Sequence, residues 1–66
     1  MAEFKDRLRG LRHEKQMTQP ELAKAVNVTK STISHWENGD NYPPLSAAIA
    51  LSELFGVSLD YLAGRS

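Results

Sequence analysis

The chain has 66 residues, eight of them basic and eight acidic, and it contains no cysteine. A chain of this length builds one hydrophobic core, so we expect a single domain over residues 1–66, and the absence of cysteine excludes disulfides, thiol catalysis and most zinc sites. No apolar run approaches the roughly 20 residues that cross a bilayer and no secretory signal is visible, so we expect a cytoplasmic protein.

Apolar spacing predicts a first helix over roughly residues 3–16. Its apolar stripe consists of Phe4, Leu8 and Leu11. A second helix is expected to begin just after Thr18, because the Thr18 hydroxyl and the Glu21 carboxylate have the spacing of a capping box. Pro20 supports this start, since proline fits the first turn of a helix, where its missing N–H leaves no bond unmade.

A sharp turn is predicted at Asn27, one of the few residue types besides glycine that tolerate positive φ. Thr29 then caps a third helix, expected over about residues 29–38 and ending at Asn38 and Gly39. The positions expected to lie inward across these two helices are Leu22, Ala23, Val26, Val28, Ile33 and Trp36.

Two more helices complete the chain. Pro43 and Pro44 precede a fourth helix that ends at Gly56, and Ser58 caps a short fifth helix. The positions with helical spacing in the fourth helix are Leu45, Ala48, Ile49, Leu51, Ser52 and Phe55, and in the fifth helix Leu59 and Leu62 are expected to close the core. No alternating strand pattern and no internal repeat is visible, so the predicted class is all-α with five helices.

The outward face of the third helix is unusual for a surface that meets only water. Its residues are small or polar where a solvent-facing helix usually carries glutamate and lysine: Thr29, Lys30, Ser31, Ser34 and His35. The charges are also unevenly distributed, because residues 1–35 hold seven basic and four acidic side chains whereas residues 36–66 hold one and four. A neutral chain can therefore still present a basic face to phosphates, although charge alone favours an ordinary solvated surface.

These features together resemble a known family. The segment TQPELAKAVNVTKSTISHWENG, with RLRGLRHEKQ before it and GVSLDYL near the end, is similar to the phage repressor and Cro-like (XRE-type) helix-turn-helix transcription regulators. The resemblance covers nearly the whole chain and implies a five-helix, lambda-repressor-like DNA-binding domain with its motif over residues 19–38. Asn27 stands where relatives most often have glycine, a departure that asparagine tolerates.

The resemblance also implies roles for individual side chains. It places four residues of the third helix where relatives contact base edges: Lys30, Ser31, Ser34 and His35, of which Ser34 is the weaker candidate. It places three where relatives contact the DNA backbone: Gln19, Thr29 and Asn38. Lysine favours guanine O6 and N7 while serine is undiscriminating, so the operator sequence is not predicted.

Two charged positions carry further expectations from the same resemblance. Arg12 and Glu37 match a structural ion pair beneath the DNA-binding surface; the alternative is two unrelated surface charges, and the pair is favoured. Asp40 lies in a loop where relatives often carry Lys or Arg, which predicts modest DNA affinity or a loop that points elsewhere. If His35 contacts DNA, affinity should rise as the pH falls, because imidazole titrates near neutrality.

Double-stranded DNA is the expected partner, bound by a homodimer at two half-sites, with repression the favoured outcome. Candidate dimer contacts are Leu59, Tyr61 and Leu62. Two alternatives stay open: an antitoxin or other interaction module that binds a protein partner, and the amino-terminal part of a longer ligand-sensing regulator. No cofactor or metal is expected, and an enzyme is disfavoured because no nucleophile, base and metal set can be assembled.

Overall fold

The computed structural model describes residues 3–65, and these form five helices and no strand. The helices are α1 (Phe4–Glu14), α2 (Gln19–Ala25), α3 (Lys30–Asn38), α4 (Leu45–Phe55) and α5 (Leu59–Leu62). The predicted all-α, five-helix class is confirmed. A bilayer span requires a longer apolar helix than any found in this part of the chain.

Local capping interactions fix most of the helix ends. The Thr18 hydroxyl accepts a hydrogen bond from the Glu21 amide and the Glu21 carboxylate accepts one from the Thr18 amide, which is the predicted capping box. Thr29 and Ser58 cap α3 and α5 in the same manner, each accepting from the amide three residues later. The caps predicted at these three residues are confirmed.

Helix α1 is shorter than the predicted range of residues 3–16. Glu3 is its N-cap, and the chain leaves the helix at Lys15 because Gln16 adopts a φ of 56°, outside the right-handed helical region. Thr29 likewise precedes α3 as its cap, so the predicted helix over residues 29–38 begins one residue later.

The core lies where α1 packs against α3 and α5, α2 against α3, and α4 against α5. Its buried apolar side chains are Phe4, Leu8, Leu11, Leu22, Ala23, Val26, Ile33, Trp36, Leu51 and Leu62. The positions predicted inward in α2 and α3 are therefore buried, and Val28 packs against this core while partly exposed.

The expectation that Leu59 closes the core is wrong, because Leu59 is 40% exposed whereas Leu62 is buried. Leu45 and Ile49 of α4 also remain exposed, at 68% and 41%. Helix α4 carries apolar residues around most of its circumference, and only the side that faces the core is covered. An apolar surface is left on α4 and α5.

Candidate nucleic-acid interface

A tight turn at Asn27 holds α2 and α3 in a fixed relation. Asn27 adopts a φ of 62°, the left-handed conformation predicted for it. Its amide donates to the carbonyl of Lys24, and the Val28 amide donates to the carbonyl of Ala23 at 2.9 Å. Ala23 is buried, so a small side chain fills the position beside the turn. These bonds fix the direction in which the chain approaches α3.

Helix α3 divides into a buried and an exposed face. Successive residues of a helix are rotated by about 100° because one turn has about 3.6 residues, so the exposed positions fall on an arc of roughly 140°. These positions are Lys30, Ser31, Ser34, His35 and Asn38, of which Ser34 is partly buried. The opposite face carries Ile33, Trp36 and Glu37, all buried. The structure thus gathers the four residues predicted to contact bases on one surface, which we call the recognition face.

Behind the recognition face, Glu37 of α3 binds side chains from α1 and α2. Arg12 donates from Nε to Glu37 Oε2 at 2.6 Å and from a second guanidinium nitrogen to Oε1 at 2.9 Å. Gln19 Nε2 donates to the same Oε1 at 3.1 Å. Arg12 also donates to the carbonyl of Met17, and Arg9 donates to the main-chain carbonyl of Glu37. Side chains of α1 and α2 therefore meet on one carboxylate of α3.

The environment of Glu37 favours its ionised form. Burial by itself raises the pKa of the Glu37 carboxyl, but the hydrogen bonds from Arg12 and Gln19 and the positive charge of Arg12 outweigh burial and leave this pKa below its usual value. The same hydrogen bond raises the pKa of Arg12. At neutral pH the two side chains form a charged pair that is nearly removed from water, with 11% of the Arg12 and 3% of the Glu37 side chain exposed.

Two of the three residues predicted to contact the DNA backbone already make contacts within the protein. Gln19, the first residue of α2, uses one of its two amide hydrogens for Glu37, which fixes the side chain and leaves one hydrogen for another acceptor. The Thr29 hydroxyl caps α3 and lies 2.9 Å from the Thr32 hydroxyl. Asn38 is exposed at the end of α3.

The loop after α3 folds back onto the recognition face. Gly39 ends α3 with a φ of 82°, and the Asp40 amide then donates to the carbonyl of His35 at 2.9 Å. A carboxylate oxygen of Asp40 also lies 3.0 Å from Nδ1 of His35. Both side chains are 56% exposed. Asp40 thus contacts a residue that was expected to read DNA.

Several interactions of these residues carry no sequence signal. The binding of Gln19 to Glu37 joins residues 18 positions apart, and the Arg9 contact joins residues 28 apart, so only the assembled fold shows them. The pairing of His35 with Asp40 has a local signal, because a glycine that ends a helix brings the next residue back over its last turn. Within residues 3–65 no three His, Asp or Glu side chains are grouped to hold a metal ion.

Residues 8–62 match the sequence profile of the helix-turn-helix family over most of the chain. The chain belongs to this family. Two solved structures support the assignment. The P22 c2 repressor, crystallised with a synthetic operator, is 30% identical over the full length of both chains with a TM-score of 0.93, and a transcriptional regulator from Listeria innocua is 26% identical with a TM-score of 0.91, covering 97% of this chain and 60% of the other.

Curated relatives of this helix-turn-helix chain are transcription regulators. The transcriptional activator BcrR of Enterococcus faecalis is 38% identical over 91% of this chain and 29% of its own length. The cryptic phage CTXphi transcriptional repressor RstR of Vibrio cholerae is 32% identical over 96% of this chain and 57% of its own length. The chain thus spans between about a third and somewhat over half of the length of these relatives.

Proposed function

We propose that the protein binds double-stranded DNA sequence-specifically and regulates transcription as a repressor at an operator with two half-sites. The observation that carries this proposal is the recognition face, a row of small and polar side chains on a helix held rigidly by Glu37 and the turn at Asn27. A helix of this kind fits the major groove, where base edges present distinct donors and acceptors. The operator bound in the P22 c2 repressor structure supports the same arrangement.

In this proposal the side chains have separate roles. Lys30, Ser31 and His35 contact base edges, and Ser34, which is less exposed, makes a lesser contact. Gln19, Thr29 and Asn38 are assigned to the sugar-phosphate backbone, where they would fix the register of α3 without reading sequence. The Arg12–Glu37 pair orients Gln19 and holds α3. The activity is binding without catalysis, and it would take place in the cytoplasm.

The direction of regulation does not follow from the domain alone. BcrR is named an activator, whereas RstR and the P22 c2 protein are named repressors. A bound domain represses when its operator overlaps the polymerase site, so repression depends on where the operator lies. We favour repression, which a reporter gene carrying the selected operator across its promoter would test. Increased reporter expression on adding the protein would show that it activates transcription.

The primary test is selection of bound sequences from a random duplex library. We expect two half-sites with centres about 10 base pairs apart, related by a dyad. Lys30→Ala should relax selectivity at one position of each half-site, whereas Asn38→Ala should weaken binding to all duplexes alike. Binding with no enriched sequence would contradict the sequence-specific function.

We further propose that the protein binds its operator as a homodimer, because one domain buries only about 600–1,000 Å² on DNA. The second copy would cover the apolar surface on α4 and α5. This surface borders a groove of about 430 Å³ whose lining contains no charged residue, namely Phe4, Tyr42, Pro43, Leu45, Ala48, Leu59, Leu62 and Ala63. A twofold contact places identical surfaces together, and an uncharged apolar surface meets its own copy without repulsion.

The dimer surface is tested with two neighbouring exposed residues. Leu45→Glu places a charge in the groove, whereas Ser46→Glu places the same charge one residue away and serves as the control. In sedimentation on a duplex with two half-sites, the wild type and Ser46→Glu should bind as dimers, and Leu45→Glu should bind as separate monomers with lower affinity. Dimeric binding by Leu45→Glu would contradict this surface, and a wild type that stays monomeric would favour a different protein as its occupant.

A further inference from the structure

The loop after α3 places the Asp40 carboxylate beside the recognition face, and Asp40 contacts His35 there in two ways. The Asp40 amide donates to the main-chain carbonyl of His35, five residues earlier, and the Asp40 side chain contacts the ring of the same residue. The left-handed Gly39 makes this possible because it reverses the chain at the end of α3. Asp40 is therefore held beside His35 by the backbone as well as by its own side chain.

This contact determines which nitrogen of His35 carries a hydrogen. An ionised carboxylate only accepts hydrogen bonds, so Nδ1, at 3.0 Å from Asp40, must be the donor. In the neutral imidazole the other nitrogen, Nε2, then has a free lone pair and is an acceptor. Within residues 3–65 the ring makes no other side-chain hydrogen bond, so Nε2 is the atom that remains for a ligand.

We propose that Asp40 is a positioning residue for DNA recognition, which fixes the imidazole of His35 so that Nε2 reads a base edge and changes its preferred base on protonation. This inference rests on the DNA-binding function proposed above. The neutral ring accepts a hydrogen bond at Nε2 and suits the N4 amine of cytosine. The protonated ring donates from Nε2 and suits O6 or N7 of guanine. One side chain thus reads two different base edges, depending on pH.

The other charged groups near this part of α3 bind other residues or lie beside other positions. From α1, Arg12 and Arg9 bind Glu37, and the Lys5 side chain lies beside Gly39. From α2, the Glu21 carboxylate binds the Thr18 amide. Lys30 stands more than one turn before His35 on α3 itself. Asp40 is accordingly the charged group in direct contact with the ring.

The test compares base preference at two pH values. The base pair that His35 contacts is identified as the one whose preference is lost in His35→Ala, and binding to duplexes with cytosine or guanine at that position is measured at pH 6 and pH 8 in the same salt. For the wild type we expect the guanine-to-cytosine affinity ratio to rise about fivefold or more at pH 6. Other positions of the half-site should keep their preference.

Asp40→Ala supplies the decisive variant, because the neutral ring is then free to carry its hydrogen on Nε2. It should bind guanine more readily than the wild type does at pH 8, so that its guanine-to-cytosine ratio changes less between the two pH values than that of the wild type. Glu53→Ala removes an exposed carboxylate from α4 and should behave as the wild type. Buried Trp36 fluorescence in urea checks that both variants fold.

The two possible failures are distinct. An enriched operator whose base preference is the same at pH 6 and pH 8, or an Asp40→Ala variant that shifts as the wild type does, would overturn the role of Asp40 and leave DNA binding intact. A library with no enriched sequence would overturn the proposed function and this inference together.

Discussion

At the scale of single residues, Glu37 stands out as an acidic side chain that is only 2% exposed. Its carboxylate accepts hydrogen bonds from Arg12 and Gln19, so the charge that burial would penalise is balanced by a cation and a polar donor. Charged pairs of this kind contribute little net stability when compared with an apolar pair, but removing one partner leaves the other buried and uncompensated. Glu37 is therefore more sensitive to substitution than an exposed acid.

Replacing Glu37 by glutamine should lower the free energy of unfolding at pH 7 by about 3–5 kcal/mol, because the Arg12 guanidinium loses its counter-charge. Urea unfolding followed by the fluorescence of Trp36, the chain's single and buried tryptophan, measures this change. Arg12→Met combined with Glu37→Gln should cost less than the sum of the single substitutions. Unchanged stability of Glu37→Gln would show that the pair does not hold α3.

The lowered pKa of Glu37 predicts how stability depends on pH. The folded state favours the ionised carboxyl, so the stabilisation is fully present above the ordinary glutamate pKa of about 4.3 and is lost as the pH falls through the lower folded value. The difference in unfolding free energy between wild type and Glu37→Gln should therefore shrink below about pH 4. A difference that stays constant down to pH 2 would contradict this interpretation. Urea titrations at several acid pH values provide the measurement.

At the scale of elements, the connection between α2 and α3 sets the angle of the recognition face. Asn27 occupies the left-handed region that costs a residue with a Cβ about 1–2 kcal/mol, a cost that asparagine bears better than most. The Ala23 carbonyl accepts from the Val28 amide just after the turn, which constrains the backbone in this conformation.

Asn27→Ala should destabilise the domain by about 1 kcal/mol, whereas Asn27→Gly, which has no Cβ, should stay within about 0.5 kcal/mol of the wild type. The same tryptophan-detected urea unfolding measures both variants. Equal losses for alanine and glycine would mean that the asparagine side chain, and not its backbone conformation, stabilises the turn.

How far these elements could be predicted depends on how local their causes are. Caps such as Thr18 and Thr29 act on amides three residues away, and positive φ at Asn27 follows from residue type, so short sequence patterns predicted them correctly. The periodicity of α3 also predicted which residues share the recognition face. Leu45 and Leu59 were misjudged or left open because the covered sides of α4 and α5 depend on how α5 packs against α1 and α4, which no short pattern shows. The hydrogen bond from Gln19 to Glu37 was not predicted either, because it joins residues 18 positions apart.

At the scale of the whole molecule, the fold engages three basic side chains of the amino-terminal half in contacts within the protein. The amino-terminal half carries the excess of basic residues, but Arg9 and Arg12 bind Glu37, and the guanidinium of Arg7 lies 4.1 Å from the centre of the Tyr61 ring. The basic half is therefore not equivalent to a basic DNA-binding face. We expect shape and hydrogen bonding at the recognition face to contribute a large part of the affinity.

This distribution of charge predicts a weak dependence of DNA affinity on salt. The proposed backbone contacts Gln19, Thr29 and Asn38 are all neutral and release no counterions, and Lys30 is the one assigned cation, so the slope of log K against log salt should be about −0.9 or shallower per half-site. Asn41→Lys, in the loop after α3, should steepen the slope by about 0.9 if that loop faces a phosphate, whereas Glu53→Gln makes the same change in net charge on α4 and should not. Operator titrations at salt concentrations from about 50 to about 200 mM supply the measurement. Equal steepening by both variants would mean that net charge governs affinity, and a wild-type slope near −4 would mean that more lysines or arginines reach phosphates than the recognition face contains.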